Sequence, residues 1–251
     1  VQTLHEQLLT FHDSNESLPE IETLKVDHRK NPLSLEVWRP EMEAEERRSW
    51  IVLMPGLGGN QKHFRWLARI LRSEGWPVVV LQHPGSDSRA VQALLEGLSP
   101  LPGADVLPER LADLHAVLKS KQEGQLLVNG DRLVLIGHSL GALTALLASG
   151  AYPESGLGPR CQQALEEFSL TNLSYLLQCQ LVDVRLIKQK KINNLEAIIA
   201  LNSFGSLLWP NKWESSTHVP ILLAGGTFDL ITPPISEQLG LFLVTPSHPS
   251  S

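Results

Sequence analysis

The strongest constraint on this chain is a set of short, almost purely apolar runs: Trp50 to Met54, Val78 to Leu81, Arg132 to Ile136, Ala197 to Leu201 and Ile221 to Ala224. A run of four or five residues without polar alternation fits a strand covered on both faces. Between the runs the spacing is helical. His63 to Arg72 puts Phe64, Leu67, Ile70 and Leu71 on one face, Leu107 to Leu118 repeats the pattern, and Leu140 to Ala148 follows the third run directly. Ile235 to Val244 reads as the helix behind the last run. Such alternation implies a mostly parallel central sheet wrapped on both faces by helices, an α/β fold. Ahead of it, Ile21 to His28 and Leu33 to Arg39 alternate like two strands joined by Lys30-Asn31-Pro32, an antiparallel hairpin at a sheet edge. The stretch to about Pro19 reads as a short amphipathic helix, and Glu41 to Arg48 as solvated loop.

Composition excludes several classes of partner. The net charge is -6, and the compact basic run is Lys188, Lys190 and Lys191, so the electrostatic footprint of a nucleic-acid binder is absent. That run is read as a solvated helix face in preference to an anionic-membrane contact. No apolar run approaches the roughly 20 residues that cross a bilayer, so no integral membrane segment is expected. The chain starts at Val1 and not at methionine, which leaves the compartment open, with the cytoplasm as default. Cys161 and Cys179 lack the paired spacing of a zinc site and are expected as free thiols. No cluster of His, Cys and carboxylates has metal-ligand spacing, so neither metal nor other cofactor is expected. Oligomeric state is not legible.

Gly137-His138-Ser139-Leu140-Gly141 stands between an apolar run and a helical one. That context marks a nucleophile elbow, in which a strand turns sharply into a helix and presents the serine at the bend. The flanking glycines are needed because a side chain there collides with the neighbouring strand or helix. A serine that only caps the helix is the competing reading. Acyl transfer also needs donors for the oxyanion. One comes from the residue after the nucleophile, here Leu140, and another from an early strand-helix loop, here Pro55-Gly56-Leu57-Gly58-Gly59-Asn60. The alternative for this loop is a glycine-rich turn without a role; a phosphate loop is disfavoured because the Gly-Lys-Ser/Thr ending is missing.

Taken together, Pro55-Gly-Leu-Gly-Gly59, His83-Pro-Gly-Ser-Asp87, Gly137-His-Ser-Leu-Gly141 and Gly225-Gly-Thr-Phe-Asp-Leu-Ile-Thr-Pro233 resemble the dienelactone-hydrolase-like and platelet-activating-factor-acetylhydrolase-like α/β-hydrolases, from about Trp50 to Thr245. The resemblance implies the α/β-hydrolase fold in a single domain, with Ser139 as nucleophile and the amides of Leu57 and Leu140 as oxyanion hole. True dienelactone hydrolases carry a cysteine nucleophile, so the serine argues for the esterase side of the group. The implied activity is a serine esterase acting on a small-molecule carboxylic ester.

In this fold the triad runs serine, acid, histidine, with the acid past a late strand. Asp229, after Ile221 to Ala224, is so placed; its alternative role is a local turn bond ahead of Pro233. Acetylhydrolases of the platelet-activating-factor type carry their acid after the preceding strand, where this chain has Asn202, which supplies no negative charge. The histidine is harder to place. His248 alone follows Asp229, in Thr245-Pro-Ser-His-Pro-Ser-Ser251, where a last strand is due. The expectation is therefore a sequence truncated at both ends, with last strand and base beyond Ser251, His248 being the lesser candidate and the fragment nearly inactive without a base. His138 is expected to pack beside its strand, His83 to make a structural hydrogen bond, and Asp87 to fix the loop after the second run.

One segment breaks the rhythm: Pro153 to Asn194 is too long for an ordinary crossover. It is expected as a helical cap over the site, its Leu170, Leu173 and Leu177 either lining an acyl pocket or attaching the cap to the domain. The rival to an esterase is a non-catalytic relative of this fold that binds a ligand or a protein.

Overall fold

The computed structural model describes residues 18–40, 49–99, 102–167, 172–211, 213 and 219–245. The expected N-terminal helix before residue 18, the loop at 41–48, Leu170 and His248 lie outside them. Glu20–Leu24 (β1) and Leu33–Trp38 (β2) form the antiparallel hairpin. Ser49–Met54 (β3), Val78–Leu81 (β4), Arg132–His138 (β5), Leu195–Leu201 (β6) and Ile221–Ala224 (β7) follow. The seven strands form one sheet in the order β1-β2-β4-β3-β5-β6-β7, with β4 through β7 parallel and β2 antiparallel to β4.

The apolar runs are explained by what covers each face. Every residue of β3 and β4 is buried. Because successive strand side chains point to opposite faces, β3 divides between two cores. Trp50, Val52 and Met54 join the larger, with Leu107, Leu111, Leu114 and Val117 of helix Leu107–Gln122 and the helix after β5. Ile51 and Leu53 join the smaller, with Ala68, Leu67 and Leu71 of helix Arg65–Ser73. A strand with one polar face would leave one core unfilled.

In chain order the α-helices are Arg65–Ser73 (α1), Ser88–Leu95 (α2), Leu107–Gln122 (α3), Leu140–Ala148 (α4), Leu157–Glu166 (α5), Ser174–Cys179 (α6) and Gly240–Val244 (α7). The helix expected at Ile235 to Val244 is present, but Pro234–Leu239 is a π-helical turn that continues into α7.

Three expectations are corrected. Cys161 and Cys179 are not free thiols but a disulfide with a Cα–Cα separation of 5.4 Å, because α5 and α6 fold back on one another. Spacing of 18 along the chain carries no information about that return. β7, the last strand in the sheet order, is not covered on both faces: Leu222 is 57% exposed. Lys188, Lys190 and Lys191 are solvated as expected, yet on an irregular segment and not on a helix.

Candidate active site

β5 ends at His138 and α4 begins at Leu140, so the chain must turn at Ser139 alone. It does so with φ 52° and ψ −118°, a region that costs an L residue about 1–3 kcal/mol unless its surroundings enforce it. They do: the Ser139 amide donates to Leu201 O at 2.8 Å, and Ser139 O accepts from Leu143 N at 3.1 Å, the first bond of α4. A Cβ at Gly141 would lie 2.1 Å from Met54 O, and one at Gly137 would lie 2.3 Å from the Gly141 carbonyl carbon. Glycine at both positions lets helix and strands close on the bend. The Ser139 side is neither buried nor fully exposed. Leu140 is the first residue of α4, so its N–H has no acceptor within the helix and points outward with the positive end of the helix dipole.

The glycine loop after β3 packs directly on this bend. A Cβ at Gly56 would come within 2.9 Å of both Ser139 Cβ and His138 O. Gly59 N donates to Gly56 O at 3.1 Å, and Gly58, at φ 72°, donates its N–H to Ser86 O at 2.8 Å. Leu57 thus sits between two hydrogen-bonded glycines beside the serine.

Asp229 lies in the loop after β7, beside the ends of β5 and β6. Its Oδ1 accepts from the amides of Ile231 (2.8 Å) and Thr232 (3.0 Å), and its Oδ2 from Thr232 Oγ1 (2.8 Å) and Asn202 Nδ2. Burial opposes ionisation, but the bonds from Thr232, Asn202 and Ile231 outweigh it and hold the carboxyl below its ordinary value. The local turn bond read from the sequence is present, and the carboxylate stands as an anion at the carboxyl ends of the strands. Asn202 adopts φ 48° and donates its side-chain amide to the aspartate.

Among the described residues no histidine hydrogen-bonds to Ser139 or Asp229. His138 packs against Phe64, with ring centroids 5.9 Å apart. Burial lowers its pKa, with Asp229 opposing. His83 is buried, and its Nδ1 meets Asp113 Oδ2 at 2.9 Å, the structural bond expected of it. Asp87 caps α2 through Ala90 N and accepts from Gln82 Nε2, which fixes its loop. No group of three or more His, Cys, Asp or Glu side chains among the described residues is arranged to hold a metal ion.

The insertion touches the loop that carries Asp229. Leu173 N and Ser174 N donate to Leu230 O and Ile231 O. Glu237, fully buried, accepts from Asn172, Ser174 and Gln178 of the insertion and from the amides of Gly205 and Ser206. Sequence reasoning missed Glu237 because a carboxylate in a helical stretch reads as solvated; the intact apolar spacing around it gave no signal. Leu177 packs against the larger core, an attachment role.

The α/β-hydrolase family matches residues 51–236, and the chain belongs to that family. Hydrolase chemistry is the coarse functional class that membership supports. Among solved structures, esterase 2 of Thermogutta terrifontis phosphoramylated by tabun aligns with a TM-score of 0.52 at 16% identity, over 91% of this chain and 79% of that one. Pyrococcus horikoshii acylaminoacyl peptidase aligns with a TM-score of 0.52 at 14% identity, over 96% of this chain and 36% of that one. Est1E from Butyrivibrio proteoclasticus aligns at 14% identity with a TM-score of 0.41, and the chain spans half of its length, 50%, with 73% of this chain covered. At these identities the likeness is one of fold. A search of curated protein sequences finds no match. Among the described residues no helix is long and apolar enough to cross a membrane.

Proposed function

We propose that this protein is a serine hydrolase that cleaves a small carboxylic ester through an acyl-enzyme at Ser139. The observation that carries the proposal is the strained Ser139 backbone at the head of α4 with Gly56 packed against it, an arrangement with no purpose in a simple helix cap. Ser139 Oγ attacks the ester carbonyl while a histidine takes its proton, later returned to the departing alcohol, and the carbonyl oxygen takes up the negative charge. The amides of Leu57 and Leu140 receive that charge. Collapse of the tetrahedral intermediate expels the alcohol, and water then releases the acid. Asp229, kept anionic by its four hydrogen bonds, orients and stabilises an imidazolium. His248, which lies outside the described residues, is the candidate for this histidine in the sequence. Esterases named among proteins of the same fold are in keeping with this substrate class.

The test is hydrolysis of p-nitrophenyl butyrate by the full-length protein. Ser139→Ala is expected to abolish turnover and Asp229→Asn to lower kcat about 10³- to 10⁴-fold with the fold intact. Equal rates for wild type and Ser139→Ala would remove the proposal. The absence of a histidine bonded to Asp229 among the described residues favours one other reading, a non-catalytic ligand-binding member of the family. Under that reading wild type itself is inert.

A further inference from the structure

Arg110, in the first turn of α3, is 1% exposed. A buried charge is expensive, and for stability alone an apolar residue of similar volume serves as well or better. Its opposite charge is Asp113, one turn along, yet Asp113 accepts its hydrogen bonds from Arg29, His28 and His83 and none from Arg110. The guanidinium instead donates to three segments that frame Ser139. Nη2 donates to Pro55 O at 2.6 Å, Nη1 to Ser86 Oγ at 2.7 Å and Nε to Thr144 Oγ1 at 3.0 Å.

Each partner leads to a peptide group that flanks an amide of the proposed oxyanion hole. Pro55 O shares a rigid peptide plane with Gly56 N at the entrance to the glycine loop. Ser86, held through its hydroxyl, accepts Gly58 N through its carbonyl and so fixes the loop just past Leu57. Thr144 Oγ1 donates in turn to Leu140 O at 2.7 Å, at the start of α4. One planar fork therefore ties both sides of Leu57 and the first residue of the nucleophile helix to one rigid point, a geometry suited to guanidinium and not to ammonium.

We infer that Arg110 is the positioning residue of the oxyanion hole, setting the separation of the Leu57 and Leu140 amides without touching substrate. This rests on the serine-hydrolase reading above. Burial pushes the guanidinium pKa down to about 9, with Asp113 opposing, so the charge persists at neutral pH. Because the two amides matter most when negative charge develops, misplacing them lowers kcat and leaves substrate binding nearly unchanged.

The experiment measures p-nitrophenyl butyrate turnover by the full-length protein, together with inhibition by an alkyl trifluoromethyl ketone, whose serine adduct carries the oxyanion. Arg110→Met is expected to lower kcat about 10²-fold and weaken the ketone in parallel, with KM within about threefold. Arg110→Lys is expected to recover only part, because one ammonium cannot span all three acceptors. Thr144→Val cuts the single tie to Leu140; it is expected to fold, lose about tenfold in kcat and keep its KM. Should Arg110→Met not fold, Thr144→Val decides: unchanged kcat and unchanged ketone affinity in that variant overturn the inference, as does a loss confined to KM. Wild-type protein that neither turns over substrate nor binds the ketone would instead remove the hydrolase reading beneath it.

Discussion

Ser139 holds its conformation because neighbours leave no alternative, and the sharpest demonstration lies at a glycine. A methyl group at Gly141 would enter within 2.1 Å of Met54 O, so Gly141→Ala must push α4 off β3. The expected cost is about 3 kcal/mol or more, a Tm loss of about 6–12 °C by thermal unfolding. An unchanged Tm would mean that the bend is looser than described. Serine and glycines were legible because they are adjacent in sequence and their requirement is local. Asp229 was singled out as candidate acid by its place after an apolar run. Asn202 and Arg110 were not legible: their importance is a hydrogen bond across 27 residues in one case and 55 in the other, which no spacing encodes. The depressed Asp229 pKa has a defined sign. Its contribution to stability is present above the ordinary value of 3.8 and is lost as pH falls through the lower folded value.

At the scale of elements, β4 and α4 match the residues read from apolar periodicity, because a strand or helix buried on most sides carries a continuous apolar record; β7 matches its apolar run in extent but not in burial. α2 was not read at all. Ser88–Leu95 has no buried residue, so no core-facing stripe was selected. The insertion shows the opposite failure: its helices were expected, but their clasp, the Cys161–Cys179 disulfide, was not. Closing an 18-residue separation removes denatured-state entropy worth about 3 kcal/mol. Reduction is therefore expected to lower Tm by about 6–12 °C. Retention of Ser139 reactivity after reduction is also expected, because Asn172, Ser174 and Gln178 still bind Glu237. Loss of reactivity without loss of Tm would place the disulfide in the site itself.

The whole molecule joins its halves through buried charge. Asp113 gathers His28, Arg29 and His83 from the β1–β2 turn and the loop after β4. Burial, aided by the charge of Arg110 and opposed by Asp113, pushes the His83 pKa from 6.5 to about 3, so the folded protein carries this imidazole neutral. The unfolded chain takes up a proton near pH 6.5 and the folded one does not until about pH 3. Stability from this group is thus complete above pH 6.5 and declines as pH falls, by about 1.4 kcal/mol per unit at most. Thermal unfolding of His83→Asn, whose amide can still donate to Asp113, is expected to show a flatter pH dependence between 7 and 4 than wild type; parallel curves would assign the acid sensitivity elsewhere. The central claim, that a reactive hydroxyl stands at the β5–α4 bend, is tested most directly by treating the full-length protein with a fluorophosphonate and mapping the adduct by peptide mass spectrometry. One phosphonyl group on Ser139, absent from Ser139→Ala, is the predicted result; an unmodified Ser139 in folded protein would contradict it.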